Sequence, residues 1–197
     1  MHLLAAQAGL IDDGSQAVDL EQTPAPLVIL SSADAELSLL ASAKRGLGKA
    51  VPDLRLANLK LLAHPMSVDF YTASTARHAK LVVARLLGGK AYWSYGALEL
   101  AALARQHNIA LALLAGDARP DGELAELSTL PPDVLSRLHA YLAQGGEANA
   151  RQFLLYAASL TGAETRWLEP KPLPPAGCWW PGKGETTPEE IASCWKA

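Results

Sequence analysis

Pro26-Leu27-Val28-Ile29-Leu30, followed by Ser31-Ser32-Ala33-Asp34 and then by Ala35 to Lys44, is the stretch from which the fold is read. A short run rich in branched apolar residues is a strand candidate, and behind it Leu37, Leu40 and Ala41 recur at helical spacing. The stretch is therefore a strand that turns straight into a helix. Ser31 stands three residues before Asp34, a modest helix-start signal, and Gly46 with Gly48 supplies a stop because glycine admits positive φ.

The same unit recurs down the chain. Leu54 to Leu62 is a second strand candidate, stopped at His64-Pro65 because proline lacks the N–H that a ladder needs. Ser67 is the expected cap of the next helix, Asp69 sits in its first turn where the helix dipole favours a negative charge, and the helix is expected to run to about His78. Lys80 to Leu87 is a third apolar run, ended by Gly88-Gly89; Tyr95 to His107 has helical spacing; Ile109 to Leu114 is a further strand, ended by Gly116-Asp117. Alternation of this kind predicts an α/β domain of Rossmann or flavodoxin-like type, a parallel sheet with helices on both faces and right-handed crossovers. Pro131-Pro132-Asp133 then opens a helix to about Ala143, and Glu147 to Leu160 completes a helical hairpin over about 131–161, packed beside the sheet.

The expected organisation is one α/β domain over residues 1–164, a Pro- and Trp-rich connection over 165–186, and the start of a helix of a further domain over 187–197. Pro170, Pro172, Pro174, Pro175 and Pro181 make the connection extended, while Trp167, Trp179 and Trp180 bring surface that needs burial. Thr187-Pro188-Glu189-Glu190 has a cap residue, a proline at the first helical position and a glutamate three after the cap. That helix is expected to be cut short at Ala197, its partner lying outside this sequence.

Composition narrows the function classes. Half of the 197 residues are hydrophobic and 19% are charged, a globular balance. A formal charge of -3 gives no general attraction for phosphate backbones, so nucleic acid is not an expected partner. Cys178 and Cys194 are too few for a disulfide framework or a four-cysteine metal site. Met1 to Ala6 has no positive stretch before its apolar residues, and Asp12 and Asp13 follow, unlike a signal peptide; no run approaches the roughly 18 apolar residues of a membrane span. A cytoplasmic protein is expected.

In an open α/β sheet, ligands bind beyond the carboxyl ends of the strands. That rule selects the loops Ser31 to Asp34, His64 to Asp69, Gly88 to Tyr95 and Gly116 to Asp121. The second is the richest, since His64, Ser67 and Asp69 bring a metal or proton ligand, a hydroxyl and a carboxylate together. Each also has a structural role open to it: turn ordering for His64, capping for Ser67, dipole compensation for Asp69, and C-terminal charge compensation for Arg77 and His78. Arg85 lies between Leu81-Val82-Val83-Ala84 and Leu86-Leu87, where a charge is costly to bury alone, and Asp69 or Asp117 is its expected partner. Gly182-Lys183-Gly184-Glu185-Thr186 lacks the order of a nucleotide loop, so ATP is not expected to bind this chain; no His-Glu-x-x-His or Gly-x-Ser-x-Gly motif is present.

Leu54-Arg55-Leu56-Ala57-Asn58-Leu59, His64-Pro65-Met66-Ser67-Val68-Asp69, Thr75-Ala76-Arg77-His78-Ala79-Lys80 and Arg85-Leu86-Leu87-Gly88-Gly89 resemble, in order and spacing, the N-terminal region of the large subunits of aerobic, ATP-dependent cobaltochelatases, the CobN family. Met1-His2-Leu3-Leu4, Ala115-Gly116-Asp117 and Gly177-Cys178-Trp179-Trp180-Pro181-Gly182 extend the likeness along the chain. The resemblance implies an enzyme complex that inserts Co2+ into hydrogenobyrinic acid a,c-diamide during aerobic cobalamin synthesis. ATP and Mg2+ would be handled by AAA+ partner subunits of the CobS and CobT type, and the remainder of the large subunit would be a further partner. It also implies candidate roles: catalytic for His64, Asp69 and His78, and substrate-binding for Ser67, Arg77 and Arg85, with this part inactive alone. The alternatives are the related large subunit of magnesium chelatase, acting on Mg2+ and protoporphyrin IX, and a non-catalytic scaffold or ligand-binding module.

Overall fold

The computed structural model describes residues 16–172 and 178–194. The readings placed on Met1 to Asp13, on Pro174, Pro175 and Gly177, and on the chain end at 195–197 lie outside the described residues.

Four parallel strands form the centre: β1 (Leu27–Ser31), β2 (Leu54–Asn58), β3 (Leu81–Leu86) and β4 (Ala110–Ala115), in the order β2-β1-β3-β4. β1 is buried at all five positions, as a central strand covered on both faces must be. Its side chains alternate between two cores. Val28 and Leu30 join Val82, Ala84, Leu111 and Leu113 on one face, while Leu27 and Ile29 join Leu81, Val83, Ala112 and Leu114 on the other.

The first face is covered by α2 (Pro65–Ser74), α3 (Ser94–His107) and the short α4 (Gly122–Leu127), the second by α1 (Asp34–Leu47), α5 (Pro132–Gln144) and α6 (Gly146–Leu160). This is the doubly wound α/β arrangement that the alternation implies. Several local expectations need correction. β2 stops at Asn58, and Leu59–Leu62 forms a 3-10 turn that turns the chain into α2. Ser67 does not cap α2: the cap is His64, whose Nδ1 accepts the Met66 N–H at 3.1 Å, with Pro65 at the first helical position. α2 ends at Ser74, and Arg77 and His78 belong to a separate 3-10 turn. Gly46 lies within α1, and Gly48, at φ 53°, ends it.

The edge of β4 is covered without a fifth strand. The Leu111 N–H donates to Thr129 Oγ1 at 2.8 Å, Thr129 N–H returns to the Leu111 carbonyl at 3.0 Å, and Leu113 N–H donates to Ser128 Oγ at 2.9 Å. Two hydroxyls thus stand in for backbone partners on an edge that would otherwise pair with another chain.

Residues 165–171 are extended, as a connection would be, but they are strapped along α5 and α6. Asn149 Nδ2 donates to the Lys171 carbonyl at 2.8 Å and Asn149 Oδ1 accepts the Lys171 N–H at 2.9 Å; Gln152 Oε1 accepts the Leu168 N–H and Thr165 Oγ1 donates to the Leu155 carbonyl. The Trp167 ring packs edge-on to Tyr156 at 4.6 Å between centroids, and the Arg137 guanidinium lies 5.0 Å from the Trp167 ring centroid. Beyond the strap, β5 (Cys178–Trp180) and β6 (Gly184–Thr186) form an antiparallel hairpin that leads into α7 (Pro188–Cys194). The start of α7 carries the expected capping box: Thr187 Oγ1 accepts the Glu190 N–H and a Glu190 oxygen accepts the Thr187 N–H, both at 3.2 Å.

Candidate functional site

The carboxyl ends of β1 and β3 are where this sheet reverses its winding, since the chain leaves β1 toward β2 on one side and adds β3 on the other. Arg85 sits there, in register with Ser31 of β1. It pairs with Glu36 of α1, neither Asp69 nor Asp117, while its Nε and Nη2 donate to the carbonyls of Ala115 and Gly116 at 3.2 and 3.0 Å. The guanidinium therefore ties together β3, the end of β4 and the start of α1. Both charged side chains are largely buried, at 14% and 11% exposed. Such a pair is worth little net but is costly to halve, because the surviving charge is left without compensation. Alongside it, Asn58 Nδ2 donates to Asp34 Oδ1 at 2.6 Å, tying β2 to the first turn of α1.

The next loop brings His64 and Ser67 to the start of α2, while Asp69 falls in the second turn, beyond the first turn expected for it, because the helix starts at Pro65; each has a definite task. Ser67 is buried at 1% exposure and its Oγ accepts the Val18 N–H at 2.7 Å, which holds the segment before β1 against the helix. His64 is half-buried; because Nδ1 accepts the Met66 N–H, the neutral ring carries its proton on Nε2 and presents a donor there. Asp69 is exposed and accepts the Tyr95 hydroxyl at 2.7 Å, joining α2 to α3. That bond, then desolvation and the nearby carboxylates, pushes the Tyr95 phenol up to about 12.

Arg77 and His78 are exposed at the opposite end of α2, where the chain enters β3, so the structure sets them apart from His64 by the length of the helix. The loops after β3 and β4 form an open cleft lined by Gly88, Gly89, Gly116, Asp117, Arg119 and Asp121. Gly116 is dictated by packing, since a Cβ there would fall 2.6 Å from the Leu87 Cα. His139 of α5, buried at 6% exposure, has Nε2 2.9 Å from the Asp117 carbonyl and holds this loop to the opposite helical layer. Among the described residues no group of three or more His, Cys, Asp or Glu converges as a metal site.

Sequence reasoning missed Glu36, Tyr95 and His139. Pro65 did carry the signal for the His64 cap, because proline favours the first helical position. Glu36, 49 residues before its partner, has no local signal at all.

No protein-family model matches the chain. Compared with curated proteins, it is 51% identical over 185 residues to a Sinorhizobium protein named aerobic cobaltochelatase subunit CobN, covering 93% of this chain and 14% of that protein. It is 44% identical over 200 residues to a protein of the same name from Pseudomonas aeruginosa strain PAO1, covering 100% of this chain and 16% of that one. The resemblance to the cobaltochelatase subunit CobN is real. The fold agrees: the solved catalytic subunit of cobaltochelatase from Mycobacterium tuberculosis superposes with a TM-score of 0.62 at 25% identity, covering 81% of this chain and 12% of that one. The chain spans about one sixth or less of the length of the CobN proteins it matches.

Proposed function

We propose that this chain forms the N-terminal part of the large subunit of an aerobic, ATP-dependent cobaltochelatase. The complete complex inserts Co2+ into hydrogenobyrinic acid a,c-diamide on the way to cobalamin, a ligase reaction in the cytoplasm, with ATP and Mg2+ handled by AAA+ subunits of the CobS and CobT type. The observation that carries this reading is the 51% identity, maintained over 185 residues, to a protein named for the chelatase.

Metal insertion displaces a proton from the ring nitrogens and strips water from the ion, work suited to imidazole and carboxylate groups at the edge of a macrocycle cavity. In this domain Asp69 has the exposure to accept such a proton, through the oxygen opposite Tyr95, while His64 presents its Nε2–H as a donor that would orient an acceptor on the substrate. Ser67 and Arg85 act one step back, holding the loop and the sheet end in place, and Arg77 and His78 would serve a surface at the other end of the sheet.

The test follows cobalt insertion by the absorbance change of hydrogenobyrinic acid a,c-diamide, using the full-length subunit with its ATPase partners. His64→Ala is expected to cut the insertion rate at least tenfold, on the order of a lost orienting contact. His64→Asn keeps the helix cap and isolates the imidazole: full activity in that variant would reduce His64 to a cap. Unchanged insertion in both variants and in Arg85→Ala would leave the chemistry wholly outside this domain. A scaffold role is the second reading, favoured by Ser67 and Arg85 each being engaged within the domain.

A further inference from the structure

α2 has the wrong outside for a surface helix. Its inward side carries Ser67, Val68, Tyr71 and the following Thr75, all buried, yet its outward side presents Met66, Phe70 and Ala73, with Asp69 the only charge in ten residues. A helix apolar on both sides is the pattern of one buried on both sides. The neighbouring α3 repeats this pattern. Tyr95, Leu98 and Ala102 are exposed at successive helical spacings, continued upward by Tyr92 in the turn before the helix.

These stripes lie side by side, for α2 and α3 pack together and the Tyr95–Asp69 hydrogen bond spans their seam. Met66 is 50% exposed, Phe70 39%, Tyr92 46%, Tyr95 41% and Leu98 48%. Tyr, Phe and Met are the residue types enriched where one protein surface covers another, and a contiguous apolar area of this kind marks such a contact.

We infer that the outward faces of α2 and α3 are the seat on which the rest of the large-subunit polypeptide packs. This rests on the function proposed above. The occupant is indicated by chain length: the CobN proteins matched by this chain continue for most of their length outside the matched part, and in the solved relative the same fold covers 12% of a single chain. A domain covalently continuous with so much polypeptide meets it at a very high local concentration, so an intramolecular contact forms ahead of one between separate molecules.

Hydroxyl-radical footprinting reads the side chains concerned directly. Met66, Phe70, Tyr95 and Leu98 are expected to be oxidised at least several-fold more slowly in the full-length subunit than in the 197-residue chain at low concentration, while residues of the α1 solvent side such as Ser38 gain no comparable shielding by backbone exchange. Phe70→Lys combined with Leu98→Lys should restore rapid oxidation of Met66 and Tyr95 in the full-length protein. Equal reactivity in the two proteins overturns the inference. So does protection already present in the 197-residue chain that disappears on dilution, because the occupant is then a second copy. Cobalt insertion measured on the same full-length preparation separates the two ideas: protection without insertion defeats the proposed function, and insertion without protection defeats this docking face.

Discussion

The two helical layers of this domain are built on one sheet and finished in opposite ways. The α1, α5 and α6 layer closes over itself: Tyr141, Phe153 and Tyr156 fill it, and the strap at 165–171 is laid across its outer groove with Trp167 against Tyr156. The α2 and α3 layer is equally well packed inward, through Val68, Tyr71, Leu100 and Ala104, but among the described residues nothing is laid over its largely apolar outer side. The difference teaches that exposed hydrophobicity here is a matter of position. Among the described residues, one layer's outer surface is met by its own chain and the other's is not.

The comparison can be broken first at the strap. Asn149→Ala removes both hydrogen bonds to Lys171 and the one to the Gly145 carbonyl, leaving partly buried backbone groups without these partners. We expect a loss of about 1–3 kcal/mol in denaturant unfolding, together with faster proteolysis within 165–171. A strap that merely lies on the surface would show neither. On the other layer, Phe70→Lys should change the stability of the 197-residue chain by no more than about 0.5 kcal/mol, the usual scale for a surface site. A large loss there would mean that the face is already covered from within. The smallest effect belongs to neither layer and serves as a reference. The Thr186 hydroxyl, then the Thr187 N–H, holds the Glu190 carboxyl below its ordinary range. A carboxyl depressed by folding stabilises the fold above its unfolded pKa, and that contribution is lost as the pH falls through the lower folded value. Acid should therefore loosen the start of α7, seen as faster exchange of the Thr187 and Glu190 amides, and Glu190→Gln should flatten the response.

How much of this was legible depended on range. The strands and the helices between them were plain because a run such as Leu27 to Leu30, backed by helical spacing, is a local pattern. α4 was missed because six residues carry almost no periodicity, although Asp121, which accepts from the N–H groups of Glu123 and Leu124, is an ordinary cap. The Arg85 site was half legible: its need for a partner follows from its apolar neighbours, but that partner is chosen by the parallel register that sets β3 beside β1 and the start of α1. The strap was the hardest to read. Prolines announce an extended chain, and nothing nearby in sequence announces the Asn149 amide that receives it.

That amide has a mechanical consequence. By gripping both the donor and the acceptor of a single residue, Asn149 works as a cleat, and Lys171 becomes the fixed point from which the chain departs. A chain free from the end of α6 would sweep a wide volume; one cleated at Lys171 pays out less line, and a pull from beyond that point is felt first at the α5–α6 layer instead of at the sheet.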